Sequence, residues 1–127
     1  MQLKLSKAKK LLSEVDKLME FGFYDTVVNR LYYACFHATR ALLMTKDLLP
    51  KTHSGVLSSL HQHFVQTVEF DHNRAAFFSR LMQERNEDDY NDFIILDEAR
   101  VREFIEPAKE YVAYVEGLVS KYLRDSG

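Results

Sequence analysis

Arg85 stands in the stretch ERNEDDYNDF (84–93), where five acidic residues and one arginine surround a tyrosine. On a helical projection of ~100° per residue, Phe77, Phe78, Leu81 and Met82 define one apolar face, and Arg85 falls within about 10° of its centre. A guanidinium on such a face is costly without partners. Arg85 therefore either sits at the open end of a bundle or points inward with partners. Asp88 and Asp89 follow at helical spacing, within local reach if the helix continues. Two chemistries suit this arrangement. One is a structural ion pair closing the bundle end; the other is an arginine fork presented to phosphate.

A second constellation lies upstream. Arg30, Tyr33, His37 and Arg40 follow one another at three- and four-residue spacing, with Arg30 and His37 almost in line two turns apart. Arginine, tyrosine and histidine on one stripe can grip phosphate and stack a base. The alternative is a polar border that bonds a neighbouring helix or a second copy of the chain. Other signals point away from chemistry. His61 and His63 are two apart, as are Cys35 and His37, which sends each pair to nearly opposite sides of a helix. No HExxH motif, paired ExxH motif or glycine-rich phosphate loop is present, so neither a metal site nor a cofactor is expected.

These residues need elements to position them. With 127 residues, 46% hydrophobic, and only four glycines and two prolines, the chain suits one domain built from helices. A net charge of −2 excludes a general basic field for nucleic acid or anionic lipid, so any such site is local. The first residues mix lysines among leucines, which fits neither a signal peptide nor a membrane span. The single cysteine, Cys35, fits a reducing compartment, and a cytoplasmic location without membrane attachment is expected.

Apolar periodicity predicts a first helix from residue 2 to Glu20, ended by Gly22 as a left-handed cap. A second helix, with Asp25 in its first turn, runs to about Lys46. Its broad apolar face contains Ala34, Ala38 and Ala41, which marks it as the central helix. Thr52 or Ser54 caps a third helix over 53–68. A fourth begins near His72, and residues 86–92 read as a polar loop before the apolar run 93–96. Asp97 and Glu98 open a fifth helix, which Pro107 should bend or whose true start it should delay. The expected fold is all-α: an antiparallel up-down bundle of about five helices, occupying 1–127 as one domain.

Three segments carry a family resemblance. NRLYYACFHATRALL (29–43), KTHSGV (51–56) and ERNEDDY (84–90) resemble, in order and spacing, a branch of the HEPN (higher eukaryotes and prokaryotes nucleotide-binding) domains. The resemblance implies a small helical bundle that pairs as a homodimer. It also implies work beside a small nucleotidyltransferase, as in toxin–antitoxin pairs. Many HEPN proteins are metal-independent ribonucleases whose active arginine is followed about a turn later by histidine. Here the fifth residue after Arg85 is Tyr90, and no histidine follows His72. Tyrosine, with an ordinary pKa of about 10, is a poor proton carrier at neutral pH. The expected role is thus nucleotide, RNA or partner binding without a catalytic residue, at Arg85, Asp89, Tyr90, Arg30, Tyr33 and His37. A divergent metal-independent ribonuclease and a non-catalytic dimeric assembly module are the alternatives.

Overall fold

The computed structural model describes the backbone of residues 1–90 and 97–126, and the side chains of residues 1–85 and 97–125. Among the described residues there is no strand. The elements are α1 (Gln2–Ser13), α2 (Val15–Glu20), α3 (Tyr24–Met44), α4 (His53–Leu60) with a π-type turn over His61–Val65, α5 (His72–Tyr90) and α6 (Glu98–Ser126). α1 and α2 form one rod interrupted at Glu14, so the bundle contains five rods, as the periodicity predicts.

The interruption has a local cause. The Ser13 hydroxyl donates to the Lys10 carbonyl at 2.6 Å, and the Glu14 amide donates to Leu11 instead, at 3.3 Å. A serine side chain competing for a backbone carbonyl tightens the turn and breaks the regular ladder. The rod ends as expected. The Phe23 amide reaches the Leu18 carbonyl and the Gly22 amide reaches Met19, while Gly22 takes φ +74°. This is the Schellman closure, which places a glycine at the left-handed position. A Cβ at Gly22 would meet nothing within 4 Å. Gly22→Ala is therefore expected to cost only the backbone strain, about 1 kcal/mol, read as a lowered urea midpoint with an unchanged m-value.

α3 is the central helix and packs against α1, α4, α5 and α6. It buries Val27, Leu31, Tyr32, Ala38 and Leu42 among others, and its small Ala34, Ala38 and Ala41 are fully enclosed. Its one buried polar side chain, Thr39, donates to the Cys35 carbonyl at 2.7 Å and pairs with the Tyr111 hydroxyl of α6 at 2.7 Å. That satisfies both hydroxyls in a place where an unmet group would be costly.

Thr52 caps α4, its Oγ1 accepting from the Gly55 amide at 2.9 Å. The cap is tight enough that a Cβ on Gly55 would lie 2.8 Å from that oxygen. Asp71 caps α5 by accepting from the Arg74 amide at 3.0 Å, and Asp97 caps α6 by accepting from Arg100 at 2.8 Å.

Two expectations are corrected. The backbone stays helical to Tyr90, so residues 86–90 continue α5 rather than forming a loop. No glycine or proline interrupts them, and polar residues past the last core position need no loop to reach water. Residues 91–96, with the apolar run 93–96, lie outside the described residues. Pro107 does not delay the start of α6, which runs from Glu98 through it. A helix-interior proline costs about 3 kcal/mol, but burial of its neighbours Phe104, Ile105, Ala108 and Tyr111 holds the helix together on both sides.

Candidate functional site

The site is built on an aromatic floor. Tyr32 of α3 is fully buried, and its ring stacks on Phe78 of α5 at 6.0 Å between centroids and on Phe36 at 5.9 Å. His53, the first residue of α4, lies on Phe36 at 4.5 Å and on Tyr32 at 5.6 Å, within 15° of parallel to each. Its Nδ1 makes a short hydrogen bond with the Tyr32 hydroxyl. The Thr52 cap fixes where α4 begins, and so where this imidazole enters.

Arg85 closes the floor from α5. Its guanidinium carbon lies 5.0 Å from the centroid of Tyr32 and 5.1 Å from that of Tyr33, and Nη2 donates to the Tyr33 hydroxyl at 3.1 Å. Cation–π attraction of this kind is strongest where water is displaced. Arg85 is therefore inward-facing with partners. Its neighbour Glu84 makes an ion pair with α6. Glu84 is only 8% exposed, and both its oxygens accept from Arg100 of α6, Nη2 to Oε2 at 2.8 Å. The side chains of Asp88, Asp89 and Tyr90 lie outside the described residues.

The stripe on α3 divides. Tyr33 joins Arg85. Arg30 turns the other way, donating from Nε to Glu14 Oε2 at 2.9 Å and from Nη1 to Asn29 at 3.3 Å. His37 lies edge-on to Phe36 at 5.7 Å, with its Nδ1 enclosed and without a hydrogen-bond partner. Arg40 lies over Phe36 at 5.7 Å, the ring that both histidines contact. The structure thus brings Tyr33 to Arg85, sets His37 beside them, and takes Arg30 away. Sequence reasoning missed Tyr32 and His53 as site residues. The KTHSGV motif contained His53, but its nearness to Arg85 depends on how α4 packs against α3.

The electrostatics follow from burial and cations. Burial, partly offset by the Arg85 charge, pushes the Tyr32 phenol up to about 12, so it remains protonated at neutral pH. His53 is held below its ordinary value by burial, then by Arg85 and Arg40; His37 is lowered by burial, then by Lys4, Lys7 and Arg40. Both imidazoles are neutral at pH 7. A histidine with a lowered folded pKa binds fewer protons folded than unfolded below about 6.5, so stability is complete above that pH and falls as the pH drops toward the folded value. Glu69 adds a second step. Lys46, Tyr122 and Thr67 bond its carboxylate and lower its pKa to about 2, so its contribution is lost as the pH falls from about 4.3 toward that value. Urea midpoints measured from pH 8 to 3 should therefore fall in two windows. In the His37→Gln/His53→Gln double variant only the lower one should remain.

An all-α bundle with an arginine set against two tyrosines of the central helix defines the class, a small helical-bundle domain. The chain belongs to the HEPN domain family, whose family model matches residues 1–118. A UPF0332 protein of Thermotoga maritima is 30% identical over 118 residues, spanning 93% of this chain and 89% of that protein. Two Methanocaldococcus jannaschii proteins that carry candidate-toxin names are also similar. One is 37% identical over 87 residues, 68% of this chain and 59% of its own length. The other is 45% identical over 58 residues, 46% of this chain and 43% of its own length. Among the described residues no helix is long and apolar enough to cross a membrane.

Proposed function

We propose that the chain is a nucleotide- or RNA-binding HEPN protein of the cytoplasm. In this reading it acts as a homodimer with a small nucleotidyltransferase partner, in a toxin–antitoxin-like or regulatory module. One observation carries the binding reading: the Arg85 guanidinium set about 5 Å from both the Tyr32 and Tyr33 rings, which His53 also contacts. The fork supplies charge-assisted donors for phosphate, and the aromatic edges supply a surface for a base. Asp89 and Tyr90 enter this proposal as part of the ERNEDDY signature, and His37 extends the site along α3. The module reading is supported by the candidate-toxin names of the two archaeal relatives. Anisotropy of labelled oligoribonucleotides and competition by mononucleotides test the binding. The wild type should bind and a folded Arg85→Ala variant should bind far less. Failure of every nucleotide and RNA to bind the wild type would leave Arg85 a structural residue. Co-purification with a nucleotidyltransferase encoded beside it tests the partner, and light scattering tests the dimer.

A second reading, metal-independent RNA cleavage, is favoured by His53, which supplies from α4 an imidazole that no residue after Arg85 provides. Tyr32 holds Nδ1, and Nε2 is the nitrogen left to exchange a proton. In this reading Nε2 takes the proton of a ribose 2′-hydroxyl and the 2′-oxygen bonds to phosphorus. The bond from phosphorus to the 5′-oxygen breaks, and that oxygen takes a proton from solvent, leaving a 2′,3′-cyclic phosphate. Arg85 steadies the negative charge that gathers on the phosphoryl oxygens. Cleavage in EDTA that is lost in both His53→Ala and Arg85→Ala would establish this reading; no cleavage of varied RNAs would remove it for the isolated protein.

A further inference from the structure

The seam between α1 and α3 has an uncompensated positive charge. Leu5 and Ala8 are buried and α1 packs on α3; Lys7 lines a groove with His37, and the charges of Lys4, Lys7 and Arg40 all act on that imidazole. Lys4 is lowered by burial, then by Arg40 and Lys7, so these cations are close enough to oppose one another. Several cations of the molecule are matched, Lys9 with Glu116, Arg30 with Glu14 and Lys46 with Glu69. Among the described residues Lys4, Lys7 and Arg40 form no ion pair. A groove of about 260 Å³ opens along the seam, lined by Lys7, Lys10, Leu11, Glu14, Arg30 and His37. Its one carboxylate, Glu14, is already held by Arg30.

Clustered cations that repel one another, in a chain of net charge −2, are a local anion trap rather than part of a general field. His37 sharpens the point. Its Nδ1 is enclosed and unbonded, so the ring's polar contact must come through Nε2. We propose that this seam is a phosphate-binding subsite in which Lys4, Lys7 and Arg40 supply charge and His37 Nε2–H supplies a directed donor. It does not depend on the reading of Arg85. Arg40 lies over the Phe36 ring on which His53 stacks, so the subsite adjoins the aromatic floor and one phosphorylated ligand can reach both.

NMR of the histidine side chains tests it, because a bound anion favours protonated His37. Adding inorganic phosphate at constant ionic strength should shift the His37 signals saturably and raise its pKa, while His61, His63 and His72 stay unchanged. Lys4→Gln/Lys7→Gln should abolish the response, with helical content by circular dichroism preserved because Lys7 is exposed, Lys4 only half-buried, and neither makes an ion pair among the described residues. A His37 response no larger than that to chloride, or a double variant that responds like the wild type, would overturn the proposal. AMP and a short oligoribonucleotide identify the source. Binding roughly tenfold tighter than inorganic phosphate marks a nucleotide phosphate, equal binding marks free phosphate, and either result upholds the subsite. Arg85→Ala should leave the His37 response to inorganic phosphate intact, so failure here and failure of the Arg85 pocket are separable.

Discussion

Truncation of Tyr32 to alanine is expected to lower folding stability by about 3–5 kcal/mol, a large share of the roughly 5–15 kcal/mol available to a domain of this kind. The ring is fully buried and stacks on Phe36, Phe78 and His53, which come from three helices, α3, α5 and α4. Its removal leaves a cavity where those helices meet and takes away one of the two rings beneath Arg85. Tyr32→Phe keeps the ring and loses only the hydrogen bond to His53, and should cost about 1 kcal/mol. Urea denaturation followed by circular dichroism separates the two variants. A loss below about 1 kcal/mol in the alanine variant would mean that the helices can close over the gap, and that the floor is not the centre of the packing.

The second large effect is on binding. If the Arg85 pocket holds phosphate, Arg85→Ala removes charge-assisted hydrogen bonds worth about 1.5–3 kcal/mol, a weakening of roughly tenfold to hundredfold. Arg85→Lys should rescue little of this. Lysine brings a point charge, while Arg85 brings a planar fork that sits near two rings and bonds Tyr33. The fold should survive both changes, because cation–π contacts at part-exposed positions contribute about 0.5–2 kcal/mol. Anisotropy titrations of the three proteins with one oligoribonucleotide decide the matter. Equal affinity in wild type and Arg85→Lys would show that only charge is used, and unchanged affinity in Arg85→Ala would remove the pocket from the binding surface.

The elements themselves were legible because their causes are local. The apolar period located each rod, Gly22 stopped the first where a left-handed residue was needed, and Thr52 capped α4 with its own hydroxyl. Arg85 was legible as an inward residue because its neighbours at helical spacing are apolar. The misreadings also have physical reasons. Pro107 suggests a delayed helix start on local grounds, and burial of α6 on either side overrides it. Residues 86–90 suggest a loop by their polarity, yet with no glycine or proline among them the backbone stays helical to Tyr90.

ERNEDDY, read alone, offers one arginine and two explanations, an ion pair or a ligand contact. In the folded chain Glu84 pairs with Arg100 of α6, and Arg85 reaches the tyrosines of α3, the hydrogen-bonded Tyr33 lying 52 residues away in sequence. Hydrophobic period, caps and breakers act over a turn or two of helix, so sequence by itself determined the helices, the central place of α3 and the family resemblance. Which polar edges meet depends on how the rods pack, an outcome of the whole core. Only the tertiary structure therefore decided that His53 stands beside Arg85, and that two lysines of α1 gather around His37.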